Sequence, residues 1–117
     1  MRELIRKLVR RRRRTLDRAR FSAVLGPETF FRGTLRGKDN YLVCGQAEAD
    51  ADLDGLFVLA LGGRWRGSIT AAHIVIAGEV RGNVSARVKL EIAASARILG
   101  HLRSPVIAMA EGAVHEG

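Results

Sequence analysis

Beyond residue 28 the hydrophobic positions alternate with polar ones in short bursts, separated by glycines, alanines and charges. Phe57-Val58-Leu59, His73-Ile74-Val75-Ile76, Val88-Lys89-Leu90-Glu91-Ile92 and Val106-Ile107-Ala108-Met109 carry the period of two and the branched side chains of β-strands. No window after the N-terminal tail holds a helical pattern of ten residues. Turn-like positions such as Ala77-Gly78 and Ala93-Ala94-Ser95 separate the bursts. Between them recurs a phrase of an apolar residue, any residue, glycine, any residue and a second apolar residue. Its sharper copies are Phe31-Arg32-Gly33-Thr34-Leu35, Trp65-Arg66-Gly67-Ser68-Ile69, Val80-Arg81-Gly82-Asn83-Val84 and Ile98-Leu99-Gly100-His101-Leu102. The phrase opens at Phe31, Ala47, Trp65, Val80, Ile98 and Val114, so the interval from one copy to the next is never shorter than fifteen positions nor longer than eighteen.

A unit this short cannot bury a core of its own, so its copies must stack. The expected fold is all-β: a single-stranded parallel β-helix, or solenoid, of about six rungs over residues 28–117. Residues 1–27 precede it as a basic amphipathic tail and connector, punctuated by Gly26-Pro27. The two apolar residues and the glycine of each phrase share one face. With that face inside, Gly33, Gly67, Gly82 and Gly100 stack in register where the wall bends or nears its opposite side, and Arg32, Arg66 and Arg81 face solvent. The Ala47 copy lacks both bulky residues and the glycine, which predicts a thinner rung followed by an acidic bulge or loop at Asp52-Leu53-Asp54-Gly55. The last copy stops within a rung, without an amphipathic cap. Open strand edges are templates for pairing, and a contact that does not close makes a filament.

Charge changes the picture of the tail alone. Residues 1–20 hold ten Arg or Lys against Glu3 and Asp17, so the whole formal charge of +8 sits there, and the rest of the chain is balanced. Leu4, Ile5, Leu8 and Val9 recur at helical spacing beside the run Arg10, Arg11, Arg12, Arg13 and Arg14. An anionic membrane surface accepts both the apolar stripe and the arginines. Nucleic acid is the alternative target for the arginines, but it has little use for the stripe. No apolar stretch approaches the ~20 residues of a membrane span, and the basic start is not followed by a signal-peptide core. The expected location is the cytoplasm, at the inner face of the cell membrane. A single cysteine, Cys44, excludes an internal disulfide and reads as a buried thiol.

Trp65-Arg66-Gly67-Ser68-Ile69-Thr70-Ala71, the run from Ile74 to Ala86, and Val88-Lys89-Leu90 resemble the repeat of the bactofilins, the bacterial polymer-forming cytoskeletal proteins. The likeness covers about residues 28–117 and is most specific in these two central rungs. It implies a right-handed β-helix with a hydrophobic interior and nucleotide-independent assembly into nonpolar filaments through equivalent ends. It further implies membrane contact through the N-terminal tail in some members, and scaffolding of cell-envelope or shape-determining partners. The core implied here is Leu59, Trp65, Ile69, Ile74, Ile76, Val80, Val84, Val88, Leu90, Ile92, Ile98, Leu102 and Ile107, with Trp65 either inside or at a corner of its rung. The polymerising ends are Phe30, Phe31 and Leu35 at one side and Val106, Met109 and Val114 at the other.

Enzyme readings find little to stand on. Hexapeptide-repeat β-helix enzymes, many of them trimeric, count in sixes and would recur evenly every three hexapeptides, whereas the intervals here vary. Their usual ligands would be His73, His101 and His115, whose wide and unequal separations do not bring three imidazoles together on one chain. Asp39, Asp50, Asp52 and Asp54 lack the spacing and glycine of a calcium loop, and neither a Walker sequence nor a dinucleotide fingerprint is present. The expectation is a protein without catalytic residues, metal or cofactor, whose partner is itself.

Overall fold

The computed structural model describes residues 23–38 and 40–116. They form thirteen strands: β1 (Ala23–Leu25), β2 (Phe30–Gly37), β3 (Tyr41–Val43), β4 (Gln46–Leu53), β5 (Leu56–Leu59), β6 (Arg64–Arg66), β7 (Ile69–Ile76), β8 (Glu79–Arg81), β9 (Val84–Ile92), β10 (Arg97–Leu99), β11 (Leu102–Arg103), β12 (Ile107–Met109) and β13 (Val114–Glu116). Every pairing is parallel and joins a strand to the next turn of the chain. The result is a parallel β-solenoid of about five full turns. The segment read as a connector contributes β1, and Gly26 closes a turn by accepting from the Thr29 N–H at 3.0 Å.

The wall has three faces. Face A holds the first residues of β2 and β4, then β6, β8, β10 and β13. Face B holds the second halves of β2 and β4, the first halves of β7 and β9, and β11. Face C holds β1, β3, β5, the second halves of β7 and β9, and β12.

The register explains the uneven repeat. Phe31, Ala47, Trp65, Val80, Ile98 and His115 occupy one column, so successive rungs differ in length. Two joints set these lengths. Between faces B and C, the steps from Leu35 to Tyr41, Ala51 to Phe57 and Val84 to Leu90 are one residue longer than those from Ile69 to Ile74 and Leu102 to Ile107. Between faces C and A, the longer turns close by hydrogen bonds from Gly63 to Ala60, Ala96 to Ala93 and Ala113 to Ala110, whereas Cys44-Gly45 and Ala77-Gly78 are shorter by two residues. The final phrase is therefore displaced by one residue from the expected one. His115, not Val114, lies opposite Ile98, because the Ala110–Ala113 turn is a long one.

One core fills the bore. Trp65, Ile69, Ile74, Ile76, Val80, Val84, Leu90, Ile92, Ile98 and Leu59 are buried in it, and Leu102 packs against it partly exposed. Two residues expected in the core are exposed instead. Val88 is 49 % exposed, because the corner in β9 carries one more residue than the corner in β7 and turns this side chain outward. Ile107 lies opposite Leu90 but is 44 % exposed, because among the described residues no rung stacks beyond it. The sequence pattern also passed over Val43, Leu53, Phe57, Ala71, Ala86 and Ala96, all buried in the same core.

The Ala47 rung is regular. β4 pairs with β2 along its whole length without a bulge, and Leu53 is fully buried where an acidic loop was expected. Its thinness has a use: Trp65 lies inside, 1 % exposed, beneath a rung whose first strand half offers only the small Ala47, Ala49 and Ala51 to the bore. Small residues above make room for the large one below. Phe57 meets the indole edge-on, with centroids 5.1 Å apart and planes at 82°. Among the described residues the indole N–H finds no acceptor, a cost of roughly 1–3 kcal/mol that the packing offsets.

Candidate assembly ends and outer faces

The first rung presents its bore residues to the outside. Phe31 and Leu35 pack on the core but stay partly exposed, and among the described residues no strand covers the outer edge of β2. Phe30 alternates to the outer side of face A, where the Arg32 guanidinium lies 5.8 Å from its ring centroid. At the other end Leu102, Ile107 and Met109 continue the bore columns of Val84, Leu90 and Ile92. Val106 falls on the B–C corner and Val114 opposite Arg97, so both are exposed but neither continues a bore column. Of the expected second-end residues, Met109 alone faces the bore. Leu102, Ile107 and His115 continue the bore columns of Val84, Leu90 and Ile98 in the last described rung. Matching the turn Ala110-Glu111-Gly112-Ala113 to Ala93-Ala94-Ser95-Ala96 would have revealed the shift.

The glycines act along the axis rather than across the bore. Gly67, Gly82 and Gly100 sit at the A–B corner with φ of +133°, +150° and +144°. A Cβ on each would lie 1.9, 2.0 and 1.9 Å from the carbonyl oxygen of Ala49, Gly67 and Gly82 in the preceding rung. Rung-to-rung approach, not the opposite wall, excludes side chains here. Gly33 differs: in the first rung a Cβ would meet only the Phe31 ring, at 3.5 Å. A second column, Gly45, Gly63 and Gly78, lines the C–A turns and was not anticipated; a Cβ on Gly78 would lie 2.3 Å from Gly63 O.

Outside the glycine column runs a polar ladder. Asp50 Oδ1 accepts from the Ser68 N–H and Oγ–H, both at 3.0 Å, and Asn83 Oδ1 accepts from the His101 N–H at 3.3 Å. The Ser68 bonds stabilise the ionised carboxylate and hold the Asp50 pKa below its usual value. At the B–C corner Arg87 reaches two rungs back, donating to Leu53 O and to Asp54 Oδ1, the latter at 3.0 Å. It passes over the rung whose corner is one residue short.

The three outer faces differ in chemistry. Face A carries Arg32, Arg64, Arg66, Arg81 and Arg97 with Glu48, Glu79 and Glu116, linked in part by Arg32–Glu48 at 3.2 Å and Arg81–Glu79 at 3.6 Å. Face B is polar, with Asp52, Thr70, Ser85 and Arg103 in register. Face C is apolar outside as well as inside: Leu42, Val58, Ala60, Val75, Ala77 and Ala93 form a second hydrophobic cluster, joined by Cys44 and Leu56. The alternation of strands foretells outward residues, but not that those of one face would be apolar in successive rungs.

Catalytic features do not assemble. His73 lies on face C opposite Lys89, and His101 on the A–B corner, so these two histidines sit on different parts of the wall. Among the described residues no three of His, Cys, Asp or Glu converge. A shallow cleft on face A, lined by Phe30, Glu48, Arg64, Trp65 and Arg81, holds about 160 Å³, below the size of an ordinary small-molecule site. Leu4, Ile5, Leu8, Val9 and Arg10–Arg14 lie outside the described residues.

A filled parallel solenoid with apolar bore columns reaching the first and last described rungs defines a structural repeat protein. The sequence model of the bactofilins, described as polymer-forming cytoskeletal, matches residues 23–117, and the chain belongs to this family. It is 25 % identical over 96 residues to bactofilin BacP of Myxococcus xanthus, a match spanning 82 % of this chain and 40 % of BacP. To bactofilin BacO of the same organism it is 27 % identical over 96 residues, spanning 82 % of this chain and 76 % of BacO. The fold is similar to the crystal structure of a point mutant of the bactofilin from Thermus thermophilus. That likeness has a TM-score of 0.70 and 25 % identity, and covers 75 % of this chain and 98 % of the other. Family and fold together place the chain among the bactofilins, a family described as polymer-forming and cytoskeletal.

Proposed function

We propose that the chain forms filaments without nucleotide, by end-to-end stacking of solenoids through their terminal rungs. The observation that carries this reading is the pair of bore ends left uncovered among the described residues: Phe31 and Leu35 on one side, and Leu102, Ile107 and Met109 on the other. Stacking a second rung on either removes apolar surface from water at about 25 cal/mol per Å² and satisfies a row of strand-edge N–H and C=O groups. In this reading the tail, through Leu4, Ile5, Leu8, Val9 and Arg10–Arg14, holds the polymer at the anionic inner face of the cell membrane, where it recruits cell-envelope or shape-determining partners.

Electron microscopy and sedimentation of the purified chain without nucleotide test the assembly. Filaments are expected, and a strictly monomeric species over a broad concentration range would refute the proposal. Ile107→Lys with Met109→Lys places two charges in the second junction and is expected to abolish filaments while leaving the folded rungs intact. For the tail, Leu4→Ser with Leu8→Ser is expected to abolish binding to anionic liposomes; intact binding removes the amphipathic account.

A further inference from the structure

The edge of the wall between faces C and A is toothed. Its turns run long, short, long, short, long, long: four residues at 26–29, 60–63, 93–96 and 110–113, and two at Cys44-Gly45 and Ala77-Gly78. The 60–63 turn stands clear of its own chain. Leu61 at its tip is 74 % exposed, the most exposed large apolar side chain among the described residues, and a Cβ on Gly62 would meet nothing within 4 Å. Beside it the short Ala77-Gly78 turn leaves a notch of about 200 Å³ between Leu61 and Ser95, with Arg64, Glu79 and Arg97 along its face A margin. That is below the size of an ordinary small-molecule site. Among the described residues Arg64 and Arg97 make no ion pair of their own, whereas Glu79 pairs with Arg81.

We propose that this edge takes a second copy of the chain, laid alongside in the opposite direction about a two-fold axis between the 60–63 and 77–78 turns. Such a contact is self-complementary. Each Leu61 enters the notch of the other copy, and one rung outward the short Cys44-Gly45 turn faces the long 93–96 turn. Charge selects the register. Arg64 and Glu79 open face A on the two central rungs, so each Arg64 meets the other copy's Glu79, and each Arg97 meets the other copy's Gln46. An axis one rung nearer the first turn also sets long against short, but it brings Phe30 to Glu79. An axis one rung further on sets the 60–63 turn against the 110–113 turn, long against long. In the favoured register the 26–29 and 110–113 turns face each other, so the two solenoid axes cross and contact is confined to about 19 Å of edge, at ~4.8 Å per rung. A strip of that length, one turn wide, falls well short of the ~800 Å² per partner of a stable complex. Single chains therefore pair weakly, and the contact fills where chains are concentrated, as along a filament. Only this last step rests on the stacking reading; the pairing itself does not.

The test uses the full chain with Leu61 replaced by the photo-cross-linker p-benzoylphenylalanine, in natural and ¹⁵N-labelled forms mixed before irradiation. Cross-links are expected between labelled and unlabelled chains, from position 61 to peptides carrying Gly78 or Ser95. Adding Arg64→Glu, or Glu79→Arg, sets like charges together at both contacts and is expected to lower the interchain yield at least fivefold, while Trp65 fluorescence still reports a buried indole. Mixing these two variants sets opposite charges together again and is expected to restore the yield, which a role within one chain would not do. Cross-links solely within chains, or a mixture that stays as low as its components, would overturn the proposal. Electron microscopy of the parent chain and of Leu61→Glu, a change on an exposed turn, separates the two readings. Filaments joined to one another in the parent and unjoined in the variant are expected. Interchain cross-links without filaments would remove the stacking reading and leave this one, whereas filaments without interchain cross-links would do the reverse.

Discussion

Replacing Gly82 by alanine inserts one carbon atom between two rungs. That atom would lie 2.0 Å from Gly67 O and 2.6 Å from the Gly67 carbonyl carbon, so a backbone segment, not a flexible side chain, has to move by about 1 Å. The move strains the bonds from the Gly67 N–H to Arg81 O at 2.9 Å and from the Gly82 N–H to Leu99 O at 2.8 Å. At φ +150° the alanine is also held where L-residues rarely go, which costs of order 1–3 kcal/mol. With overpacking of similar size, the destabilisation is about 4 kcal/mol, a large share of the 5–15 kcal/mol typical of a domain. Guanidinium unfolding followed by fluorescence of the single, buried Trp65 reads this directly. The midpoint is expected to fall by about 1 M, with light scattering confirming equal assembly of the compared samples. Gly62→Ala is the matched control: its φ is +88° but a Cβ there meets nothing within 4 Å, so it carries backbone strain of only about 1–2 kcal/mol. Equal midpoints for the two variants would refute the claim that rung-to-rung contact, rather than φ alone, selects glycine at position 82.

Other expectations are as direct. Ala47→Leu crowds Trp65 and should cost about 1–3 kcal/mol; combining it with Trp65→Leu should recover part of that loss in a double-mutant cycle, and strict additivity would count against small-over-large packing of these rungs. Arg87→Ala removes the brace to Leu53 O and Asp54, and a loss of about 1 kcal/mol is expected in the same denaturation assay. Ser68→Ala should raise the Asp50 pKa toward its ordinary value, followed by carbon-detected NMR titration. The folded-state pKa is the depressed one. The stabilisation from this group is therefore present above the unfolded aspartate value and fades as the pH falls through the folded value, and the variant should show less of that acid sensitivity.

The repeating strand, the parallel stack and most of the bore were legible in the sequence because they rest on short-range rules. Alternation decides in from out within one strand, and a five-residue phrase with glycine at its centre marks a corner wherever it falls. Trp65, Ile69, Val80, Val84 and Ile98 are inside for that reason. The degraded Ala47 copy also kept its column, since Phe31, Ala47 and Trp65 do pair. What tertiary structure decided is everything that depends on adding up rung lengths. Two joints each vary by one or two residues, and in a strand a shift of one residue exchanges the faces. That put His115 where Val114 was expected, turned Val88 outward and brought Ile107 and Leu102 to the terminal rung. It also collected Leu42, Val58 and Val75, each a full rung apart in the chain, into one outer apolar column. The sequence by itself determined that this chain is a stack of strands with a filled bore; the way each rung turns its corners decided which side chains meet between rungs, at the ends and on face C.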